Sequence, residues 1–398
     1  MGNHANRFVE LEKFLNNLVP DTLPGLQILV HQSDKEVFYF SSGHRSVENN
    51  LKIERNNVFR IFSMTKALVC TGMMVLIEAK KVNLDDLVEK YIPEFQDLQV
   101  FDSYTNEQVI TVEPKKKMTI KNLMTHTAGF TYPFSDNTKV NEMYGQVMSN
   151  PNNLNMSNQD FINEISKLPL LYSPGDFWNY SISIDILGFI IERISGLSLQ
   201  DFLYQQILSK LNMNHTGFTV RPEHKDLFTS NYSKNEKGYD LLDSYHDSKY
   251  LSEPSYFSGG GGGVSSIDDY MKFCSFLQSE GIVNGEQILS SKSIDLLMSN
   301  QLDGDIGAIS RPTSESVHKF NGFGQGLGGA VVIDPNNPRI PKAALGEFFW
   351  FGAACSMFYV DRSKEISMVF MTQMMNYIFG EEGTKMLDDI KTLVHESI

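Results

Sequence analysis

The stretch FRIFSMTKALVCTGMMVLIEA, residues 59–79, decides how this chain is read. With Val58 its first residues form a short strand candidate, VFRIF. From Ser63 to about Ala79 apolar side chains then fall on nearly every side of a helix, the profile of a helix buried in the middle of a domain. Ser63 opens that helix directly after a strand, and Lys66 follows one turn later on the same face. A serine hydroxyl is a poor nucleophile until a base takes its proton, and a lysine held beside it in a desolvated site can help. The helix start adds backbone N–H groups and a partial positive charge, which suit an oxyanion. The plainer alternative makes Ser63 an N-cap and Lys66 a snorkelling surface residue. Spacing alone is a weak signal, because Ser316-Val317-His318-Lys319 shares the S-x-x-K pattern in a polar stretch that reads as solvated loop.

Working outward, residues 5–18 carry a helical stripe of Phe8, Leu11, Phe14, Leu15 and Leu18, stopped by Pro24-Gly25. LQILVHQSDKEVFYFSSG (26–43) reads as two strands around a Ser33-Asp34-Lys35 turn. The middle, roughly 90–250, shows helical patterns at 87–95, 161–168 and 185–196, the last stopping at Gly196. Beyond 255 the five glycines Gly259 to Gly263 precede the helix IDDYMKFCSFLQSEG. They read as a turn with close backbone approach rather than as a flexible linker. Three strand candidates follow, GQGLGGAVVID (324–334), GEFFWFGAACSMFYVD (346–361) and EISMVFMTQM (365–374), then a helix from about Thr384 to Val394. Strands at both ends around a helical middle predict an α/β plus α fold in which one sheet is completed by both ends. The expected division is a discontinuous sheet domain, 1–90 with 250–398, and a mostly helical domain, 91–249.

Composition removes several function classes. The 398 residues are 41% hydrophobic and 21% charged, as in a folded chain. Lys plus Arg is 34 and Asp plus Glu is 48, a formal net charge of −14. That balance argues against nucleic-acid partners and against docking on anionic membranes. The most apolar stretch, Ala67 to Ile77, is too short to span a bilayer. The start lacks the uninterrupted apolar core of a secretory signal, and Asn6 stands where a myristoylation motif asks for Ser or Thr. Cys70, Cys274 and Cys355, an odd number without short spacing, fit reduced thiols in a cytoplasmic protein. The nine histidines show no zinc-binding spacing, and no metal or cofactor is expected.

One motif points elsewhere and fails on context. Gly324-Gln325-Gly326-Leu327-Gly328-Gly329 satisfies G-x-G-x-x-G, but it runs into the strand AVVIDP where a dinucleotide site needs a helix N-terminus. Neither G-x-S-x-G nor G-x-x-x-x-G-K-[ST] occurs.

With those set aside, residues 59–95 resemble the nucleophile region of the serine β-lactamase and penicillin-binding-protein superfamily. The likeness is strongest to the branch holding class C β-lactamases and family VIII carboxylesterases. LMTHTAGF (123–130) resembles the LLTHTSGL segment of that branch, and SPGDFWNYSISIDILGFIIERISG (173–196) resembles its PGxxWxYSNxxxxxLGxxIExxSG stretch. GGGGGVSSIDDYMKF and GFGQGLGG match further segments, so ordered similarity runs over roughly 10–375. The resemblance implies a β-lactamase-like fold, with a mainly antiparallel sheet flanked by helices and an inserted helical domain. It also implies Ser63 as the acylated nucleophile with Lys66 and Tyr180 as its base, and an oxyanion hole that includes the N–H of Ser63.

The departures concern substrate. The K-T-G of β-lactamases is absent, and His215-Thr216-Gly217 falls at a helix exit of the middle region. Trp350-Phe351-Gly352 stands where family VIII esterases carry W-G-G, so Ala353 would offer the second oxyanion N–H. Trp350 in place of a lysine removes the cation that grips a substrate carboxylate and adds an apolar wall, unless it is simply core. Ile182 replaces the amide of a Y-x-N motif. His126 reads as a structural loop residue rather than a general base, and Tyr132, Phe134 and Tyr144 as lid candidates over the acyl pocket. The resulting expectation is a serine hydrolase acting on a small-molecule ester or acyl donor. An acyltransferase on the same scaffold is the alternative; a β-lactamase or D-aminopeptidase fits less well.

Overall fold

Both ends of the chain contribute strands to one antiparallel sheet. The structure is a computed structural model and describes residues 7–105, 108–135, 138–148, 156–236, 238–311, 320–338, 340 and 342–398. The sheet strands are β1 (Gly25–Gln32), β2 (Lys35–Ser46), β3 (Leu51–Lys52), β4 (Phe323–Gln325), β5 (Ala330–Val332), β6 (Phe348–Gly352), β7 (Ser356–Asp361) and β8 (Ile366–Thr372). Their order is β4-β5-β6-β7-β8-β1-β2-β3, with every neighbouring pair antiparallel. The join between the two ends is β1 on β8, in register from Leu26↔Thr372 to Gln32↔Ile366.

Every residue of β7 and β8 is buried, so helices must cover both faces. The principal helices are α1 (Val9–Asn17), α2 (Thr65–Glu78), α3 (Ser183–Ser195), α4 (Ile267–Gln278) and α5 (Glu381–Ser397). Tyr270 and Phe273 of α4 pack on Phe358, whereas Lys391 and His395 of α5 lie against Tyr359. Adjacent strand residues point to opposite faces, which places α4 and α5 on opposite sides of the sheet. A large antiparallel sheet flanked by helices is the arrangement the resemblance implies. α2 lies against α3 and buries eleven of its fourteen residues, in keeping with its all-round apolar sequence.

Several local expectations need correction. The stretch 346–361 is a hairpin, β6 and β7, because Cys355 adopts a left-handed φ of 66° and its N–H returns to the Gly352 carbonyl at 2.9 Å. Residues 324–334 likewise hold parts of β4 and β5 around a glycine turn, which also disposes of the dinucleotide motif. No α-helix forms over 87–95; two 3-10 turns, Val88–Lys90 and Pro93–Phe95, stand there, since Pro93 lacks the N–H a helix interior needs. The middle region also contains two hairpins, over 100–112 and 231–243, that helical periodicity does not announce. Ser316 and Lys319 lie outside the described residues.

Candidate active site

The turn that carries Ser63 is held by a two-stranded ribbon, Val58–Arg60 on Val264–Ser266, and by the Ile61 N–H on the Gly263 carbonyl at 3.0 Å. Phe62 takes a left-handed φ of 43°, a conformation that costs a branched or bulky residue on the order of 1 kcal/mol or more. Thr65 Oγ1 donates to the Phe62 carbonyl at 2.6 Å and accepts from the Gly263 N–H at 3.0 Å, which holds that bend in place. Ser63 thus sits in a 3-10 turn, Phe62–Met64, leading into α2. Its side chain caps nothing, so the N-cap reading of Ser63 does not hold. The snorkelling reading of Lys66 fails as well, since that residue is 1% exposed.

Tyr180, just ahead of α3, donates its phenol hydrogen bond to Ser63 Oγ at 2.6 Å. Lys66 Nζ uses its three hydrogens on Ser63 Oγ at 3.2 Å, Tyr132 Oη at 3.3 Å and the Gly260 carbonyl at 2.5 Å. The same ammonium stands 4.6 Å from the centre of the Tyr180 ring. One hydroxyl and one amine from the turn at Ser63 therefore meet one phenol from a distant segment at a single point.

Asp185, in the first turn of α3, organises the surroundings. Its Oδ1 accepts from Ser258 Oγ at 2.6 Å and from the Gly260 N–H at 3.0 Å, and its Oδ2 lies 3.4 Å from Tyr132 Oη. A Cβ on Gly260 would fall 2.2 Å from Asp185 Oδ2, so the glycine run lets the backbone come close enough to hold Lys66. Burial, reinforced by Asp185, pushes the Tyr132 phenol well above its usual range, which keeps it neutral. Sequence reasoning missed Asp185 and the carbonyl of Gly260, and it placed Tyr132 in a lid. The available signal was an aspartate inside the otherwise apolar DILGFII.

Of the other lid candidates, Tyr144 is fully buried with its hydroxyl 3.4 Å from the Pro169 carbonyl, so it is core; Phe134 is exposed. Ile182 is buried at the start of α3. Thr216 hydrogen-bonds to Asp269 and Ser265, a packing role for the H-T-G triplet. Trp350 is 5% exposed and faces the Tyr180 ring at 5.6 Å. At the end of β6, a Cβ on Gly352 would meet the Ile61 carbonyl at 2.6 Å, so this strand end abuts the backbone ahead of Ser63. Ala353 follows the last ladder pair, Gly352↔Ser356, and its carbonyl accepts from the Asn376 N–H at 2.9 Å.

His126 is buried behind Tyr180, ring centres 4.9 Å apart, with Nδ1 3.4 Å from Ser181 Oγ. Burial first, then the Lys66 charge, pulls its imidazole well below the usual range. An unfolded imidazole titrates near pH 6.5, so at mildly acidic pH the unfolded chain binds the extra proton. The contribution of His126 to stability is therefore full above that pH and falls as the medium is acidified, by up to about 1.4 kcal/mol per pH unit. Urea unfolding at pH 5, 6 and 7.5 should show a steeper loss in the wild type than in His126→Gln; equal slopes would mean that His126 is not held neutral.

A second titratable cluster joins Glu347, Asp361 and His395 within 4.8 Å at the far end of the β6–β7 hairpin. Burial would raise the Glu347 carboxyl, but Lys391, which donates to it, and His395 hold it below its usual range. Lys391 supplies the cation this buried carboxylate needs, and the cluster ties α5 to the sheet.

The family model described as Beta-lactamase matches residues 14–389. The chain belongs to the beta-lactamase family. Within it, the chain is 25% identical to "Acyltransferase calJ" of Penicillium decumbens, over 85% of this chain and 81% of that one. It is 24% identical to "Esterase EstB" of Burkholderia gladioli, over 88% and 86%. Among solved structures, "EstCE1, a hydrolase with promiscuous acyltransferase activity" superposes with a TM-score of 0.78 at 21% identity, covering 98% of each chain. No K-T-G occurs in the chain. Among the described residues no helix is long and apolar enough to cross a membrane.

Proposed function

We propose that this protein is a serine carboxylesterase that works through an acyl-enzyme on Ser63. The observation that carries the reading is the 2.6 Å contact between Tyr180 Oη and Ser63 Oγ, with Lys66 Nζ 3.2 Å from the same oxygen. With Tyr180 first giving up its phenol proton to solvent, Ser63 Oγ bonds to the ester carbon as the serine proton passes to the Tyr180 phenolate. The Lys66 ammonium beside the ring balances the phenolate charge until that transfer. The carbon–oxygen bond to the alcohol breaks, and Tyr180 delivers the proton to the leaving oxygen. Water then adds to the acyl carbon, its proton returns to Ser63 by the same route, and the carboxylic acid leaves.

The carbonyl oxygen would be received by the N–H groups of Ser63 and Ala353. The first belongs to a helix start, where N–H groups have no partner within the helix, and the second lies just past the last ladder pair of β6. Trp350, an apolar ring where a lysine would grip a carboxylate, supports uncharged esters over penicillins and peptides.

A second reading, acyl transfer to an alcohol, is favoured by the acyltransferase among the relatives and by the promiscuous acyltransferase activity of the hydrolase EstCE1. Both readings share the acyl-enzyme. The test is release of p-nitrophenol from p-nitrophenyl butyrate, with mass spectrometry of peptides from enzyme quenched during turnover. A butyryl adduct on the Ser63 peptide is expected. Turnover with the adduct elsewhere, or no turnover of any ester offered, would remove the reading. Adding a primary alcohol separates the two: a hydrolase makes chiefly butyrate, a transferase chiefly the new ester.

A further inference from the structure

Among the described residues, Phe134, 65% exposed, and Phe379, 53% exposed, are the only phenylalanines more than half open to solvent, and they touch each other, ring centres 6.3 Å apart. Isolated exposed apolar residues need no explanation, but a contacting pair at the edge of a polar site does. Each ring is anchored to a different wall of the candidate active site. Phe134 stacks on Tyr132 at 4.9 Å, whose hydroxyl reaches Lys66, and its neighbour Ser135 donates to the Tyr180 carbonyl at 3.0 Å. Phe379 closes the turn Tyr377–Phe379, which Asn376 fastens to the carbonyl of Ala353 at 2.9 Å.

We infer that Phe134 and Phe379 form an aromatic clasp at the mouth of the site that binds an apolar group of the ester. That group is an alkyl chain of about four carbons or more, or an aryl ring, carried by either half of the ester. The inference rests on the serine-hydrolase reading and adds a substrate class to it. The two rings present flat apolar faces of little conformational freedom, one on the Tyr180 side and one on the Ala353 side. A short acyl or alkyl group bound beside Ser63 does not extend to them, whereas a longer one lies across the paired rings and withdraws apolar surface from water.

Two ester series test this, with wild type, Phe134→Ala, Phe379→Ala and Phe134→Leu. The first varies the acyl group as p-nitrophenyl acetate, butyrate and octanoate; the second varies the alcohol as methyl, hexyl and benzyl butyrate. In at least one series kcat/KM of the wild type rises with apolar size, and either alanine variant loses about tenfold on the largest member with little change on the smallest. Phe134→Leu keeps most of the preference. Loss confined to the first series assigns the clasp to the acyl half, and loss confined to the second assigns it to the alcohol. Both alanine variants within twofold of wild type throughout both series would overturn the clasp. Acylation of Ser63 in the same samples keeps that failure separate from a failure of the hydrolase reading. Both rings are largely solvated, so their removal leaves the core intact, and matching thermal melts confirm this.

Discussion

Turnover of p-nitrophenyl butyrate is expected to vanish in Ser63→Ala, a fall of roughly ten-thousandfold or more in kcat, because the acyl-enzyme loses the atom on which it forms. The variant should fold as the wild type does. Among the described residues Ser63 caps no helix and its hydroxyl meets no side chains but Tyr180 and Lys66, so unfolding free energy should change by no more than about 1–2 kcal/mol. The measurement is p-nitrophenol release at equal concentrations of wild type and variant, beside a urea melt of each. Equal rates in both proteins would mean that Ser63 is not the nucleophile. A folded variant with a residual rate above background would point to a second reactive group.

Tyr180→Phe is expected to lower kcat about a thousandfold, within the range for removal of a positioned acid–base group. The substitution deletes one oxygen and leaves the ring among His126, Tyr132 and Trp350, whose centres lie 4.9, 5.2 and 5.6 Å away. Lys66→Met should cost a similar factor, since the amine touches the same serine oxygen. Because the two act on one proton, the double variant should be hardly slower than either single one. Multiplied losses would mean independent roles, and a loss under tenfold in Tyr180→Phe would remove Tyr180 as the proton carrier. Steady-state kinetics on the three variants decide this.

The expected loss of stability on acidification traced to His126 shows what burial adds to a residue that the chain alone leaves ambiguous. Within LMTHTAGF, His126 invites a triad reading; its packing behind Tyr180 places it beside the proton route and out of hydrogen-bonding contact with Ser63 among the described interactions. Tyr132 makes the opposite journey. Its neighbourhood of Pro and Asn suggested a lid, yet it is 7% exposed and hydrogen-bonds to Lys66.

The amino-acid sequence by itself determined the buried helix behind Ser63, the placing of strands at both ends of the chain, and the Ser63 and Lys66 candidates. These are local signals: helical spacing puts Ser63 and Lys66 on one face, and an all-round apolar helix must be buried. Ordered similarity to a family then added Tyr180, which no periodicity could. Only the tertiary structure decided that Asp185 and Gly260 hold the lysine, that residues 346–361 turn back at Cys355, and that Phe134 meets Phe379. Each depends on contacts between segments far apart in the chain, or on a left-handed turn at a residue that is not glycine. The register of β1 on β8, some 340 residues apart, and the close approach at Gly260 set those distances, and neither leaves a local pattern in the residues it joins.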